Sequence, residues 1–341
     1  MLDTVDVLQT APPEMTEAGS MRLAKAMFAI DARATRLTSE RDCNFLLHEE
    51  GTGARYVFKV ANADETREVV AFQLGALMRL AEVDPTLPVP RVVPDTAGAP
   101  IAVVMIGDRP HLACVLTFLP GQPLAGTTIT ATHAHQCGAL LARMNRGLAD
   151  YRHEAEERHL LWDISHVEAV RPRLEDIAEP RTRLAAHRAL DRVSAVADQI
   201  ATLDRQVIHN DLNPHNVLAG PGGGVNGIID FGDMVSAPRV NDIATAASYF
   251  VGAGEGPLGL APRLAGAWAA GIGPSETERA LLPALVGARA VLTLAITTWR
   301  AKLHPGNRAY IMRNVPSAVA TLDRLLALSP EHAAALLIPE S

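Results

Sequence analysis

The spacing of apolar and polar residues changes period along the chain and divides it into a strand-rich first third and a helix-rich remainder. Over 21–30, Leu23, Met27 and Ile30 recur at helical spacing, which predicts a short helix. Asn44-Phe45-Leu46-Leu47 and Tyr56-Val57-Phe58-Lys59-Val60 have strand character, and Glu50-Gly51-Thr52-Gly53 between them supplies a hairpin turn. A helix is predicted over 68–80, ended by Pro85, Pro88 and Pro90, and two further strands over 101–105 and 112–116. Beyond Pro120 and Gly121 the pattern turns helical, with helices predicted over 131–145, 167–203, 244–250, 264–270, 280–300 and 315–328. That pair therefore marks a boundary. The layout is a loosely ordered lead-in over 1–19, a mixed first lobe over 20–118 and a mainly helical second lobe over 119–341. No internal repeat or low-complexity tract interrupts it.

Composition narrows the function class. The 341 residues suffice for two lobes with substantial cores, and 48% hydrophobic residues with a formal charge of −7 describe a globular chain. An acidic chain without a Lys/Arg-rich run is repelled by phosphate backbones, so nucleic acid is not an expected partner. Cys43, Cys114 and Cys137 are odd in number and lack metal-site or redox-pair spacing, which fits core thiols in a reducing cytoplasm. The N-terminus carries Asp3 and Asp6 and does not read as a signal peptide. Charged residues, Pro or Gly interrupt the apolar runs before the roughly 20 residues a bilayer requires, so no membrane association is expected.

The chemistry concentrates in His209-Asn210-Asp211-Leu212-Asn213-Pro214-His215-Asn216, followed by Asp230-Phe231-Gly232-Asp233. Phosphoryl transfer to a hydroxyl needs a carboxylate to take or orient the acceptor proton, and oxygen ligands for the Mg²⁺ that bridges the nucleotide phosphates. Asp211 suits the first task; Asn216 and Asp230 suit the second. Val217-Leu218 and Ile228-Ile229 read as paired strands that anchor the loop, joined by the Gly-rich turn over 219–224. That Gly run has no strand-to-helix context and is not a phosphate cradle.

On these residues the chain resembles the aminoglycoside phosphotransferase and choline kinase superfamily. Within it, "HNDLNPHNVL", "GIIDFGDM" and "HPGNRAYIM" are most similar to the corresponding segments of hydroxylysine kinases and their bacterial relatives. The resemblance runs from about Thr38 to Leu325. It implies an α+β, bilobal protein-kinase-like fold and a small-molecule kinase using ATP or GTP with Mg²⁺. A protein kinase is a poor match: Asn213 stands where such enzymes carry Lys, and no Gly-x-Gly-x-x-Gly precedes the first Lys-bearing strand.

Lys59 on its strand and Glu68 nine residues later follow the Lys-then-helix-Glu order with which kinases hold the α- and β-phosphates, with Glu65 a competitor for the pairing. The resemblance implies that Ser39 and Asn44 order a phosphate-covering loop. It also implies that the base edge of the nucleotide meets the backbone of Thr117-Phe118-Leu119. His209 reads as a structural hydrogen-bonder, and His215 as a residue facing substrate. Asp233 and Asp242 are expected to support or cap, with Asn241-Asp242 an N-cap signal for the helix that follows.

Over 280–300, Arg289, Thr293, Ile296 and Arg300 share one helical face in apolar surroundings. A solvated surface is the commoner place for two such arginines; the alternative is a buried guanidinium, which needs an anionic partner, and a substrate carboxylate is the candidate for it, with Arg289 the first choice and Arg300 the second. Trp162 and Asp163 are expected to offer an apolar wall and a carboxylate for a substrate amine. The resemblance implies that the acceptor is hydroxylysine or a similar hydroxy-amino acid or amino alcohol. Aminoglycosides, homoserine and choline-type molecules are alternatives. A nucleotide-binding pseudokinase is the competing class, against which the chain keeps Lys59, Asp211, Asn216 and Asp230 together.

Overall fold

The computed structural model describes residues 12–39 and 42–339. Most of the expected lead-in, residues 1–11, lies outside them, as do Glu40 and Arg41 of the expected phosphate loop. The chain forms two compact units, one of residues up to Pro120 with Arg152–His159, the other of Gly121–Tyr151 with the residues from Leu160 onward.

The first unit opens on α1 (Glu17–Phe28), which begins inside the expected lead-in because the Thr16 hydroxyl accepts from the Gly19 N–H and caps it. Strand β1 (Ala32–Leu37) follows. It has no apolar alternation strong enough to predict, since its inward residues are Ala32 and Ala34. Strands β2 (Cys43–Glu49) and β3 (Arg55–Val60) form the expected hairpin, and α2 (Arg67–Val83) starts on a Thr66 cap. Strands β4 (Val92–Val93), β5 (Ala102–Ile106) and β6 (Arg109–Thr117) complete an antiparallel sheet of order β1-β2-β3-β6-β4, with β5 also on β6. Phe45 and Phe58 pair directly across β2 and β3 and face a core that also takes Phe28, Val60 and Val115. Alternation then puts Lys59 on the opposite face of β3. The segment 152–159 was expected in the second lobe. It belongs to the first unit, where the His153 ring lies 5.6 Å from that of Phe72 on α2.

The second unit contains β7 (Gln122–Pro123), α3 (Ala131–Leu148), a 3₁₀ segment (Ile164–Asp176), α4 (Pro180–Ser194) and α5 (Ala197–Ala201). The continuous helix expected over 167–203 is thus three pieces; Pro180, which lacks a backbone donor, opens the second of them as its first residue. Next come β8 (Arg205–Ile208), β9 (Val217–Ala219), β10 (Val225–Ile228) and β11 (Val235–Pro238). β9 and β10 are the expected hairpin, while β8 pairs with β11. Helices α6 (Arg239–Phe250), α7 (Ala261–Ile272) and α8 (Glu276–Leu303) follow, then α9 (Arg308–Ile311), α10 (Val315–Leu326) and α11 (Pro330–Leu337).

Helices α3 and α7 approach so closely that a Cβ on Gly138 would lie 2.0 Å from the Leu264 carbonyl oxygen. Helix α8 corrects the expectation about apolar runs. It is long and apolar enough by length and composition to cross a membrane, but its most apolar window is 89% buried within the protein, as in a core helix. It is held at its start by a capping box between Ser275 and Glu278, and Glu278 also receives a two-pronged ion pair from Arg239 of α6. Cys43, Cys114 and Cys137 are all buried free thiols, and burial pushes Cys114 up to about 11 and Cys137 to about 12. They are core residues.

Candidate active site

The loop between β8 and β9 is shaped from beneath by Asp242. Its carboxylate accepts the backbone N–H of Asn210 at 2.8 Å and of His209 at 3.2 Å, and the side-chain amide of Asn145 at 2.7 Å. Asn145 is itself fixed by the Trp268 indole N–H at 2.8 Å. The expected N-cap at Asn241-Asp242 is therefore corrected. Helix α6 begins earlier, at Arg239 after Pro238, and Asp242 turns its oxygens to the loop instead. The bond to Asn210 holds a backbone the loop could not keep alone, for Asn210 has φ 64°, a left-handed value that costs on the order of 1–3 kcal/mol; Asp230 is left-handed too, at φ 65°.

His209 is the structural residue the sequence suggested. Its Nδ1 accepts from the Asp211 N–H at 3.2 Å, leaving Nε2 to donate to the Ile229 carbonyl at 3.3 Å, and its ring meets Phe231 edge to face at 4.8 Å. Burial lowers its pKa, consistent with this neutral tautomer.

The Asp211 carboxylate is gripped on both oxygens. Oδ2 accepts from Asn213 Nδ2 at 2.9 Å and Asn216 Nδ2 at 2.8 Å, and Oδ1 accepts from Arg289 Nη2 at 2.9 Å. Burial pushes its pKa up to about 7; Arg289 opposes that rise, Asp233 adds to it, Asn213 opposes it and Asp230 adds to it. A carboxylate near 7 can accept a proton effectively at neutral pH.

Arg289 is where the expectation needs the largest correction. The guanidinium is buried in α8 as its apolar surroundings implied, but the anion it pairs with is Asp211. Nη1 donates to the Trp162 carbonyl at 2.9 Å and Nη2 also reaches Tyr249 Oη at 3.3 Å, so its terminal nitrogens are engaged within the protein. Trp162 is an apolar wall, but for Arg289, whose guanidinium carbon is 5.1 Å from the indole centroid. Asp163 is corrected too: it is fully buried and caps the 3₁₀ segment, accepting from the Ser165 N–H at 2.9 Å, with His166 Nε2 3.7 Å from its other oxygen. Burial and these partners leave it no exposed face for a substrate amine. Arg300 shares the face of Arg289, yet eleven residues at 1.5 Å each put it about 16 Å farther along the helix. It is half-buried, and the two arginines do not converge.

Asn216 and Asp230 are brought together by a backbone bond from the Ile229 N–H to the Asn216 carbonyl at 2.9 Å. Because Asn216 spends its amide nitrogen on Asp211, its carboxamide oxygen is left as a donor to a cation. Asp230 is exposed, and one oxygen accepts the Gly232 N–H at 3.2 Å. A carboxamide and a carboxylate oxygen suit a hard cation such as Mg²⁺, which characteristically takes its other ligands from phosphates and water. Among the described residues no group of three or more His, Cys, Asp and Glu could form an all-protein metal cage. His215 is half-buried, and its Nε2 accepts from Arg313 Nε at 3.3 Å, a contact absent from the sequence reading.

In the first unit, Lys59 lies opposite Asn44 across β2 and β3, with Asp42 Oδ2 3.7 Å from its Nζ. The pairing expected with Glu68 differs for that reason. Asp42 precedes the strand that lies against Lys59, whereas Glu68 is exposed in the first turn of α2. Ser39 accepts the Asp42 N–H at 3.2 Å and so shares its turn, while Asn44 is the second residue of β2, its buried Oδ1 without a hydrogen-bond partner among the described residues. Thr117 ends β6 and exchanges backbone and hydroxyl bonds of 2.8 Å with Arg91, and Leu119 follows two residues later, half-buried.

The model of the phosphotransferase enzyme family matches residues 33–282, and the chain belongs to that family. It is 26% identical to the hydroxylysine kinase of Mus musculus over 340 residues, covering 93% of this chain and 90% of that protein. The structure of a microcompartment-associated aminopropanol kinase superposes with a TM-score of 0.69 at 20% identity, over 90% of this chain and 96% of that one. Amicoumacin kinase hAmiN, solved with AMP-PNP, Ca²⁺ and Ami, superposes with a TM-score of 0.69 at 13% identity, over 98% and 100%. The fold is the kinase-like one expected, and the chain is a small-molecule phosphotransferase with an alcohol group as acceptor.

Proposed function

We propose that this phosphotransferase moves the γ-phosphoryl group of ATP or GTP to the hydroxyl of hydroxylysine or a closely similar hydroxy-amino acid or amino alcohol, in the cytoplasm. The observation that carries this reading is the Asp211 carboxylate, held at 2.8–2.9 Å by Asn213, Asn216 and Arg289 on the loop that also presents Asn216. Asp211 takes the acceptor's hydroxyl proton as its oxygen bonds to the γ-phosphorus, and the bond from that phosphorus to the nucleoside diphosphate breaks. Asn216 and Asp230 are the residues that would hold Mg²⁺. Bound there, the ion supplies charge neutralisation for the phosphate oxygens. Lys59 pairs with the α- and β-phosphates, Ser39 and Asn44 order the turn around them, and the backbone at Thr117 and Leu119 receives the base. Similarity to hydroxylysine kinase over most of both chains supports the choice of acceptor.

Acceptors of the aminopropanol, aminoglycoside or choline type share the same chemistry. A catalytically silent nucleotide-binding protein is disfavoured because Lys59, Asp211, Asn216 and Asp230 are all retained. The test is nucleotide consumption by the purified protein over a panel of hydroxy-amino acids, amino alcohols and aminoglycosides with ATP and GTP. Hydroxylysine-dependent turnover that disappears in Asp211→Asn is the expected result. Nucleotide binding without turnover of any acceptor would sink the enzyme reading, and exclusive turnover of aminoglycosides would sink the acceptor.

A further inference from the structure

With Arg289 committed to Asp211, recognition of an acceptor carboxylate has to come from another cation, and we propose that Arg313 is that residue and selects a carboxylate-bearing acceptor. The starting point is a relay of hydrogen bonds that leads outward from Asp211. Asn213 donates to Asp211 Oδ2 at 2.9 Å and accepts the His215 N–H at 2.8 Å; His215 Nε2 then accepts from Arg313 Nε at 3.3 Å. The loop that carries the proton acceptor is thereby tied, through two of its own side chains, to one guanidinium.

That guanidinium is preorganised. Its carbon lies 3.7 Å from the Tyr310 ring centroid and Nη1 donates to the Tyr310 carbonyl at 3.0 Å, so stacking and two bonds fix its plane. Among the described residues Nη2 has no hydrogen-bond partner, no carboxylate is paired with Arg313, and the side chain is exposed. A rigid, solvent-reachable guanidinium with no anion of its own is suited to a planar carboxylate. Arg289 is the opposite case, buried and already paired.

The surrounding charge agrees. Residues 301–322 contain Lys302, Arg308, Arg313 and His304 and no Asp or Glu at all. Lys302 is neutralised by Asp176 at 2.6 Å, while Arg308 and Arg313 stay exposed. A polycationic acceptor with several ammonium groups would be repelled by this stretch, whereas an amino acid brings one carboxylate to meet it. The inference rests on the proposed kinase reading for the identity of the site, and selects amino acids over amino alcohols and aminoglycosides within it.

The test compares two matched pairs, hydroxylysine against 1,5-diaminopentan-2-ol and homoserine against 3-aminopropan-1-ol, in which only the carboxylate differs. Binding is measured by calorimetry on the whole protein with a non-hydrolysable nucleotide analogue and Mg²⁺, so that turnover is not required. The parent should bind at least one amino acid about 10- to 100-fold more tightly than its amino alcohol, the worth of a hydrogen bond to a charged group. Arg313→Ala should remove that difference, Arg313→Lys should keep part of it, and Arg313→Gln serves if the alanine variant does not fold. Nucleotide affinity, proposed above to depend on other residues, reports that the variants are intact. Equal binding of both members of each pair by the parent, no binding of either, or an unchanged preference in Arg313→Ala overturns the proposal. Loss of the kinase reading has a different signature: absent turnover with the carboxylate preference intact.

Discussion

Arg289 and Asp211 are joined by a 2.9 Å ion pair in which the guanidinium is 2% exposed and the carboxylate side chain 18%. The pair unites the longest helix of the second unit with the loop that carries the chemistry. Because Nη1 is bonded to the Trp162 carbonyl as well, the arginine can hold Asp211 in only one place.

Without Arg289 the main influence opposing the rise of the Asp211 pKa is gone, so the carboxyl takes up a proton at neutral pH. Arg289→Ala is expected to lose about 1–3 kcal/mol of stability, the cost of leaving buried hydrogen-bonding groups unmet. Turnover should fall about 10²- to 10⁴-fold because Asp211 is no longer positioned, the range for a positioned acid–base group. Arg289→Lys keeps the charge without the rigid fork and should recover stability better than turnover. Urea unfolding and steady-state kinetics measure the two effects. Parent-like behaviour of Arg289→Ala on both would show that the pair is dispensable.

The two residues proposed to hold Mg²⁺ should be unequal. Asp230 offers a full charge to a hard cation and Asn216 only a dipole, so Asp230→Ala should weaken the Mg²⁺ dependence of nucleotide binding more than Asn216→Ala does. Asn216→Ala should instead cost turnover, since it also frees one side of Asp211. Titrations of nucleotide with and without Mg²⁺ decide this. The assignment fails if the parent binds nucleotide equally in both.

Stability should depend on acid through Glu278. Burial pushes its carboxyl up, but the Arg239 ion pair and the Ser275 N–H and hydroxyl outweigh burial, and the net shift is downward. A carboxylate lowered on folding contributes stability that is present above its unfolded pKa of about 4.3 and is lost as pH falls through the lower, folded value. Glu278→Gln should therefore be less stable than the parent at pH 7, by about 1.5–3 kcal/mol for hydrogen bonds to a charged group. The gap should narrow as the pH drops below 4. Urea melts of both proteins at the two pH values read the difference directly, and a gap that persists unchanged into acid would contradict the assignment.

Gly138 tests the contact between α3 and α7. A methyl there would stand 2.0 Å from a backbone oxygen, which has no side-chain freedom to yield, so Gly138→Ala should cost about 1–3 kcal/mol despite alanine's higher helix propensity. At Gly266, where a Cβ meets nothing within 4 Å, the same substitution should be neutral or stabilising. Thermal melts of the two variants should move in different directions. A shared shift would mean that propensity, rather than packing, governs both sites.

Much of the proposed site was legible in the chain because it is local. Asp211, Asn216 and Asp230 lie within twenty residues of one another, and the turn between β9 and β10 brings the last of them back beside the second. The face of β3 that carries Lys59 was legible too, since strand alternation puts it opposite Phe58 and Val60. Periodicity also revealed that the middle of α8 is buried. It could not reveal what the helix is buried against. The carboxylate that meets Arg289 lies 78 residues away along the chain, the amide that meets Asp242 lies 97 away, and the guanidinium that meets His215 lies 98 away. A hydrophobic pattern fixes which face of an element turns inward, because burial depends only on the residues of that element. The partner of a buried charge depends on which elements pack together, so Asp211 rather than a substrate became the anion of Arg289 only when the helices and the loop were assembled.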